Sequence, residues 1–161
     1  MKTAIYTGSF DPITLGHLNL IKRASRVFDK VIVCIMFNKE KHPLFTVEER
    51  VRQVRLVTLR FPNVEVDSSN ELVAEYAKRI GANAVIRGLR AVSDYEKECQ
   101  MALINKRLNP DLETFFLPAS EKYMYLSSSA VKELASFGSD LTDFAPREII
   151  GEIEAKYKDA R

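Results

Sequence analysis

Short apolar runs alternate with stretches of helical periodicity along the whole chain, and each change of period marks a new element. Runs rich in β-branched and aromatic residues at 3–7, 30–37, 64–67, 83–87 and 113–117 predict five strands. Amphipathic segments lie between and after them. The first runs to Phe28 and sets Leu20, Ile21, Ala24, Val27 and Phe28 on one stripe, with Lys22, Arg23 and Arg26 outward and His17 at the start of the buried side. Thr46 followed three residues later by Glu49 reads as a capping box that opens a second helix running to Arg60. A third helix over about 70–80 is stopped by Gly81, and a fourth over about 92–108 is stopped by Asn109-Pro110. Two more are expected, one after Leu126-Ser127-Ser128-Ser129 and one entered near Pro146. Strand and helix in alternation build βαβ units, so the expected class is α/β with a parallel sheet.

Composition narrows the picture. The 161 residues are 46% hydrophobic, and no Pro/Gly/Ser-rich linker divides them, so 1–161 is expected to form a single domain. Lys and Arg total 24 against 22 Asp and Glu, and a net charge of +2 gives no broad attraction to nucleic acid or to anionic lipid. No run of eighteen apolar residues occurs, so no membrane span is expected. Cys34 and Cys99 have neither disulfide nor zinc spacing, and the start Met-Lys-Thr-Ala-Ile-Tyr has no signal-peptide core, which points to a cytoplasmic protein.

Candidate chemistry gathers where the predicted strands end. Thr7-Gly8-Ser9-Phe10-Asp11-Pro12-Ile13-Thr14-Leu15-Gly16-His17 joins the first strand to the first helix. Glycines at 8 and 16 let backbone N–H groups approach an anion, and the free N–H groups of the helix start, its dipole and His17 converge on one spot. The plain alternative is an ordinary turn with a packed histidine. The order of strand, glycine turn and helix start favours a polyphosphate site. His17 is expected to donate a ring N–H to phosphate and, when protonated, to cancel charge, while Asp11 holds the loop through backbone hydrogen bonds. In Asn38-Lys39-Glu40-Lys41-His42-Pro43, Lys41 is the candidate anion contact, Lys39 and Glu40 read as a solvated loop, and His42 takes no role.

Arg87 and Arg90 flank Gly88-Leu89 at the end of a strand, where their planar forks suit phosphate, although Asp94, Glu96 and Glu98 offer them salt bridges. Glu98 shares a helical face with Tyr95, Ala102 and Asn105, placed either to bind ribose or adenine or to orient an arginine. Ser127, Ser128 and Ser129, with Lys132 a turn later, suggest a second phosphate cradle, and Tyr123 and Tyr125 either line an adenine pocket or pack. Neither Gly-x-x-x-x-Gly-Lys-[Ser/Thr] nor Gly-x-Gly-x-x-Gly is present, so P-loop hydrolysis and hydride transfer lose their support, and no Cys or Ser with a nearby base suggests a covalent intermediate.

Taken in order, Gly8-Ser9-Phe10-Asp11-Pro12 with Thr14-Leu15-Gly16-His17, Ile86-Arg87-Gly88-Leu89-Arg90-Ala91, and Leu126-Ser127-Ser128-Ser129-Ala130-Val131-Lys132-Glu133 closely resemble the bacterial phosphopantetheine adenylyltransferase family of the nucleotidyltransferase superfamily. That resemblance implies a Rossmann-like, doubly wound five-stranded parallel sheet with helices on both faces. It implies adenylyl transfer from ATP to 4′-phosphopantetheine with Mg²⁺, direct in-line attack, and a homohexamer. By the family's pattern His17 stabilises the transition state. Ser9, Phe10, His17, Gly88, Leu89, Arg90, Glu98, Tyr123, Met124, Tyr125, Leu126, Ser127, Ser128 and Ser129 fall on ATP-binding positions, and Ser9, Lys41, Val73 and Arg87 on acceptor-binding ones. Thr14 stands where many superfamily members carry a histidine, and Lys132 where the wider signature has an arginine, so Lys132 is left without a role. Two rival readings share these motifs: a nucleotidyltransferase for another acceptor or for CTP, and a catalytically silent nucleotide-binding module. Activity with phosphopantetheine separates them.

Overall fold

The computed structural model describes residues 1–37 and 42–158. Among these, five strands, β1 (Thr3–Gly8), β2 (Lys30–Met36), β3 (Val64–Ser69), β4 (Ala84–Leu89) and β5 (Glu113–Pro118), form one sheet in the order β3-β2-β1-β4-β5. Every neighbouring pair is parallel, with Thr3 opposite Lys30 and Ala4 opposite Ala84. The chain lays strands outward on one side as far as β3 and then returns to the other side of β1 for β4. The strand order therefore reverses beside β1, and a crevice opens at the carboxyl ends of β1 and β4.

Six helices complete the described fold: α1 (Leu15–Ala24), α2 (Val47–Thr58), α3 (Val73–Ile80), α4 (Val92–Leu108), α5 (Ser128–Ser136) and α6 (Arg147–Ala155), with a 3₁₀ turn at Glu121–Tyr123. Alternation along the central strands divides the core in two. Tyr6, Val33 and Ile86 pack on one face with Leu20 and Ile21 of α1, Val54 and Val57 of α2, and Ile149 and Ile153 of α6. Ile5, Ile32 and Val85 pack on the other with Tyr76 and Ala77 of α3. Each fully buried isoleucine contributes about 1.5–3 kcal/mol. The doubly wound arrangement with helices on both faces is thus as expected. The edge strands β3 and β5 are only half buried, and β3 alternates in and out.

The boundaries differ from the sequence reading in four informative places. α1 ends at Ala24, where the Ser25 N–H closes on Ile21, so Val27 leaves the predicted stripe and stands 72% exposed. α3 begins at Val73 rather than near Asn70, and α2 ends at Thr58 rather than Arg60. β4 continues to Leu89, so Gly88 lies within a strand, where a Cβ would come 2.5 Å from Leu20 Cδ1. Gly81 stops α3 at φ +70°, a conformation that favours glycine.

Candidate active site

The crevice at the carboxyl end of β1 and β4 opens into a cavity of about 800 Å³. The predicted residues Ser9, Phe10, His17, Arg87, Gly88 and Arg90 lie on its wall. Glu98, Tyr123, Leu126, Ser127, Ser128 and Ser129 join them there. Leu89, Met124 and Tyr125 do not line it; the last two are 50% and 65% exposed. Val73 lines a second cavity of about 250 Å³ with Met36, Met101, Ala102 and Asn105. Both cavities share Thr7, Gly8, Ser9, Met36, Arg87 and Glu98. Lys41 lies outside the described residues.

The loop after β1 is held from three sides. Asp11, 6% exposed, accepts the Leu44 and Phe45 N–H groups at 2.9 Å each, and the Lys132 ammonium stands 3.2 Å from it. Its expected backbone role is therefore present, but the backbone it holds is the entry to α2. Arg50 Nη1 donates to the Ser9 carbonyl at 2.8 Å, and Ser128 Oγ donates to the Pro12 carbonyl at 2.8 Å. Within this clamp Phe10 adopts φ +47°, unusual for a non-glycine residue, and packs its ring edge-on against His17 with centroids 5.1 Å apart.

Two helix N-termini face the cavity. Ser127 caps α5 by accepting the Ala130 N–H, and Thr14 caps α1 by accepting the His17 N–H at 3.3 Å. Each presents a positive dipole end; at α5 the Ser128 and Ser129 N–H groups have no described acceptor, whereas at α1 the Leu15 N–H donates to the Phe144 carbonyl and only the Gly16 N–H is left. Reciprocally, the Thr14 N–H donates to His17 Nδ1 at 3.0 Å. A nitrogen that accepts carries no hydrogen, so the neutral ring bears its proton on Nε2 and has a donor there. Burial, then the Arg90 and Arg87 charges, push the His17 pKa down to about 4. The ring is accordingly neutral at pH 7 in this site, and offers a neutral N–H donor rather than the charge that its protonated form would bring. The Thr14 hydroxyl is taken up by the cap.

Both arginines that flank Gly88-Leu89 reach the cavity, and both are also paired. Arg87 forms a bidentate pair with Glu98 through Nε and Nη2, at 2.8 Å each, and its Nη1 donates to the Thr7 carbonyl at 2.6 Å. Burial disfavours the Arg87 charge, and Glu98 more than offsets it, so the pKa is raised. Arg90 lies 3.5 Å from Asp94 and donates to the Leu126 carbonyl at 2.9 Å. The salt bridges set out as the alternative to phosphate binding are formed, and they orient the two guanidiniums on the wall. Of the face predicted for Glu98, Ala102 and Asn105 do line the second cavity, while Tyr95 packs against Phe116 and is 48% exposed.

Sequence reasoning missed Arg50 and Met36. Arg50 had a signal: it sits three residues after Val47 and four before Val54, inside the apolar stripe of α2. No group of three or more His, Cys, Asp or Glu suited to a metal occurs among the described residues. The cavity carboxylates are already engaged, Asp11 as above, Glu98 by Arg87, Asp94 by the Arg90 and Ala91 N–H groups, and Glu71 by Arg79 and Ser69. Among the described residues the wall thus offers no protein cage for a cation.

Residues 5–134 match the model of the cytidylyltransferase-like family. A phosphopantetheine adenylyltransferase of Caldanaerobacter subterraneus subsp. tengcongensis is 52% identical over 158 residues, covering 98% of this chain and 99% of the relative. The enzyme of that name from Heliobacterium modesticaldum is 48% identical over 159 residues, covering 99% and 95%. Among solved structures, nicotinic acid mononucleotide adenylyltransferase of Plasmodium falciparum superposes with a TM-score of 0.66 at 16% identity, covering 98% of this chain and 96% of its own. A Vibrio parahaemolyticus protein proposed to be a nicotinate-nucleotide adenylyltransferase gives 0.73 at 16% identity, covering 98% and 97%. At such identity these two speak for the fold.

Proposed function

The chain belongs to the cytidylyltransferase-like family, in its phosphopantetheine adenylyltransferase branch, and from that membership we propose that it transfers the adenylyl group of ATP to 4′-phosphopantetheine, giving dephospho-coenzyme A and pyrophosphate in coenzyme A biosynthesis. The observation that carries this reading is the junction of two cavities at Ser9 and Arg87, one rimmed by two helix N-termini and the other by Val73, Met36 and Met101. A polyphosphate suits the first, and a long arm of amides and short apolar stretches ending in phosphate suits the second, whose wall mixes Met36, Val73 and Met101 with Asn105 and Thr114. The reacting groups would meet where the walls join.

In this reading ATP lies along Ser9, Phe10, His17, Gly88, Arg90, Glu98, Tyr123 and the run from Leu126 to Ser129, with Leu89, Met124 and Tyr125 beside the wall rather than on it. The acceptor is held by Ser9, Lys41, Val73 and Arg87. An oxygen of the acceptor phosphate attacks the α-phosphorus in line; the new P–O bond forms as the bond to the β-phosphate oxygen breaks, and the electron pair leaves with pyrophosphate. A phosphomonoester has its second pKa near about 6, so at pH 7 the nucleophile arrives ionised and needs no general base. What remains for the protein is positioning and charge stabilisation. His17 Nε2–H donates to an α-phosphate oxygen, and Arg87, locked by Glu98, presents the acceptor phosphate.

Mg²⁺ arriving with the nucleotide would offset phosphate charge, and among the described residues the wall carboxylates are already engaged, so none of them would be free to hold it. Self-association as a homohexamer is supported by α4, which exposes Val92, Met101, Leu103 and Ile104. A cytoplasmic location is supported by two free cysteines, Cys34 buried in the core. No described helix is long and apolar enough to cross a membrane. Pyrophosphate release from ATP, assayed with and without 4′-phosphopantetheine, tests the reading. Release in step with dephospho-coenzyme A, and only with the acceptor, is expected; release with CTP or a different acceptor and none with this pair would overturn it.

A further inference from the structure

We propose that Arg50 is a phosphate-binding residue of this site, and that it holds the terminal phosphates of ATP and the pyrophosphate that departs. The inference deepens the adenylyltransferase reading and rests on it. Arg50 projects from α2 and is only 3% exposed, yet it lies on the wall of the larger cavity. Its Nε donates to the Thr46 carbonyl at 3.3 Å and its Nη1 to the Ser9 carbonyl at 2.8 Å. No described residue accepts from Nη2. Two carbonyls therefore aim the fork and leave one edge free.

Charge pairing singles the residue out. Of the lysines and arginines described on that wall, Arg87 pairs with Glu98, Arg90 with Asp94 and Lys132 with Asp11, while Arg50 has no described carboxylate within ion-pair distance. Burial lowers its pKa, and the charges of Asp11 and Glu48 only partly oppose that effect. An arginine keeps its proton in practice, so a buried, unpaired guanidinium is costly until an anion arrives. Asp11 does not fill that need, because its oxygens already serve the Leu44 and Phe45 N–H groups and Lys132.

Position decides which anion. Arg50 is absent from the wall of the second cavity, where the acceptor arm is placed. It shares the larger cavity with Lys132 and the capped start of α5, which together form a cationic end suited to a diphosphate.

Calorimetric titration with inorganic pyrophosphate and, separately, with AMP tests the assignment on the whole protein. Arg50→Gln is expected to weaken pyrophosphate binding by at least about tenfold and AMP binding less than about twofold, since one charged hydrogen-bonding group contributes on that order. Arg50→Lys keeps the charge without the fork, so it is expected to fall between the two, and it carries the test should the Gln variant fail to fold. Unchanged pyrophosphate affinity in the variants overturns the proposal, as does equal weakening of AMP and pyrophosphate, which marks a purely structural residue. Adenylyl transfer by the unsubstituted protein, measured alongside, reports on the parent reading separately.

Discussion

Replacing His17 by alanine removes two things at once, and the structure separates their sizes. The first is Nδ1, which accepts the Thr14 N–H at 3.0 Å and closes the capping box of α1. Leaving that buried N–H without an acceptor costs about 1–3 kcal/mol of stability. The second is the Nε2–H donor, proposed to reach the α-phosphate. Loss of one pre-aimed donor to developing charge is worth about 3–4 kcal/mol, so kcat for dephospho-coenzyme A formation should fall roughly a hundred- to a thousandfold, with KM for ATP changed much less. Steady-state kinetics at pH 7.5 read the second effect and urea unfolding the first. Because His17 is already neutral above about pH 4, an inflection of kcat/KM near pH 6 belongs to the acceptor phosphate and persists in the variant. Turnover within a factor of about three of the parent protein, or disappearance of that inflection, would rule out this role for His17.

Three further outcomes follow from particular contacts. The His17 pKa of about 4 lies below its unfolded value of 6.5, so the unfolded chain binds the extra proton between these limits. Stability is therefore full above pH 6.5 and falls as the pH drops towards 4, by about 3 kcal/mol relative to His17→Ala, and urea melts at pH 7 and pH 4.5 read the difference. Gly88→Ala sets a Cβ 2.5 Å from Leu20 Cδ1 and is expected to cost about 1–3 kcal/mol in the same assay; an unchanged midpoint contradicts the close approach. Leu103→Asp, on the exposed face of α4, should shift the protein to a smaller assembly by light scattering, and an unaltered mass excludes that face from the interface.

Where a local pattern decides the structure, the sequence was readable. Thr46 and Glu49 form the expected capping box, and the end of α3 at Gly81 follows from its left-handed φ. The convergence of His17, Arg87 and Ser128 on one cavity could be anticipated because strands of a parallel sheet all deliver their following loops to the same edge. Tertiary terms escaped. Val27 matched the apolar period of α1, but the helix stops at Ala24 and periodicity alone carries no stop signal there. The charge state of His17 depends on burial and on two arginines some seventy residues away, which spacing cannot reveal. Arg50 was hidden among the charges of Glu-Glu-Arg-Val-Arg, although its register placed it inward. The pairing of Arg87 with Glu98 was one of two open alternatives, and only the geometry of α4 against β4 selects it.

In the proposed reaction the protein gathers two anions and lets one attack the other directly, without passing the adenylyl group to itself. The most direct test of this is the stereochemical course at the α-phosphorus, followed by ³¹P NMR with one diastereomer of adenosine 5′-O-(1-thiotriphosphate). A single in-line displacement predicts inversion of configuration in the dephospho-coenzyme A analogue. Retention would require an even number of displacements, hence an adenylylated enzyme, and would rule out direct attack.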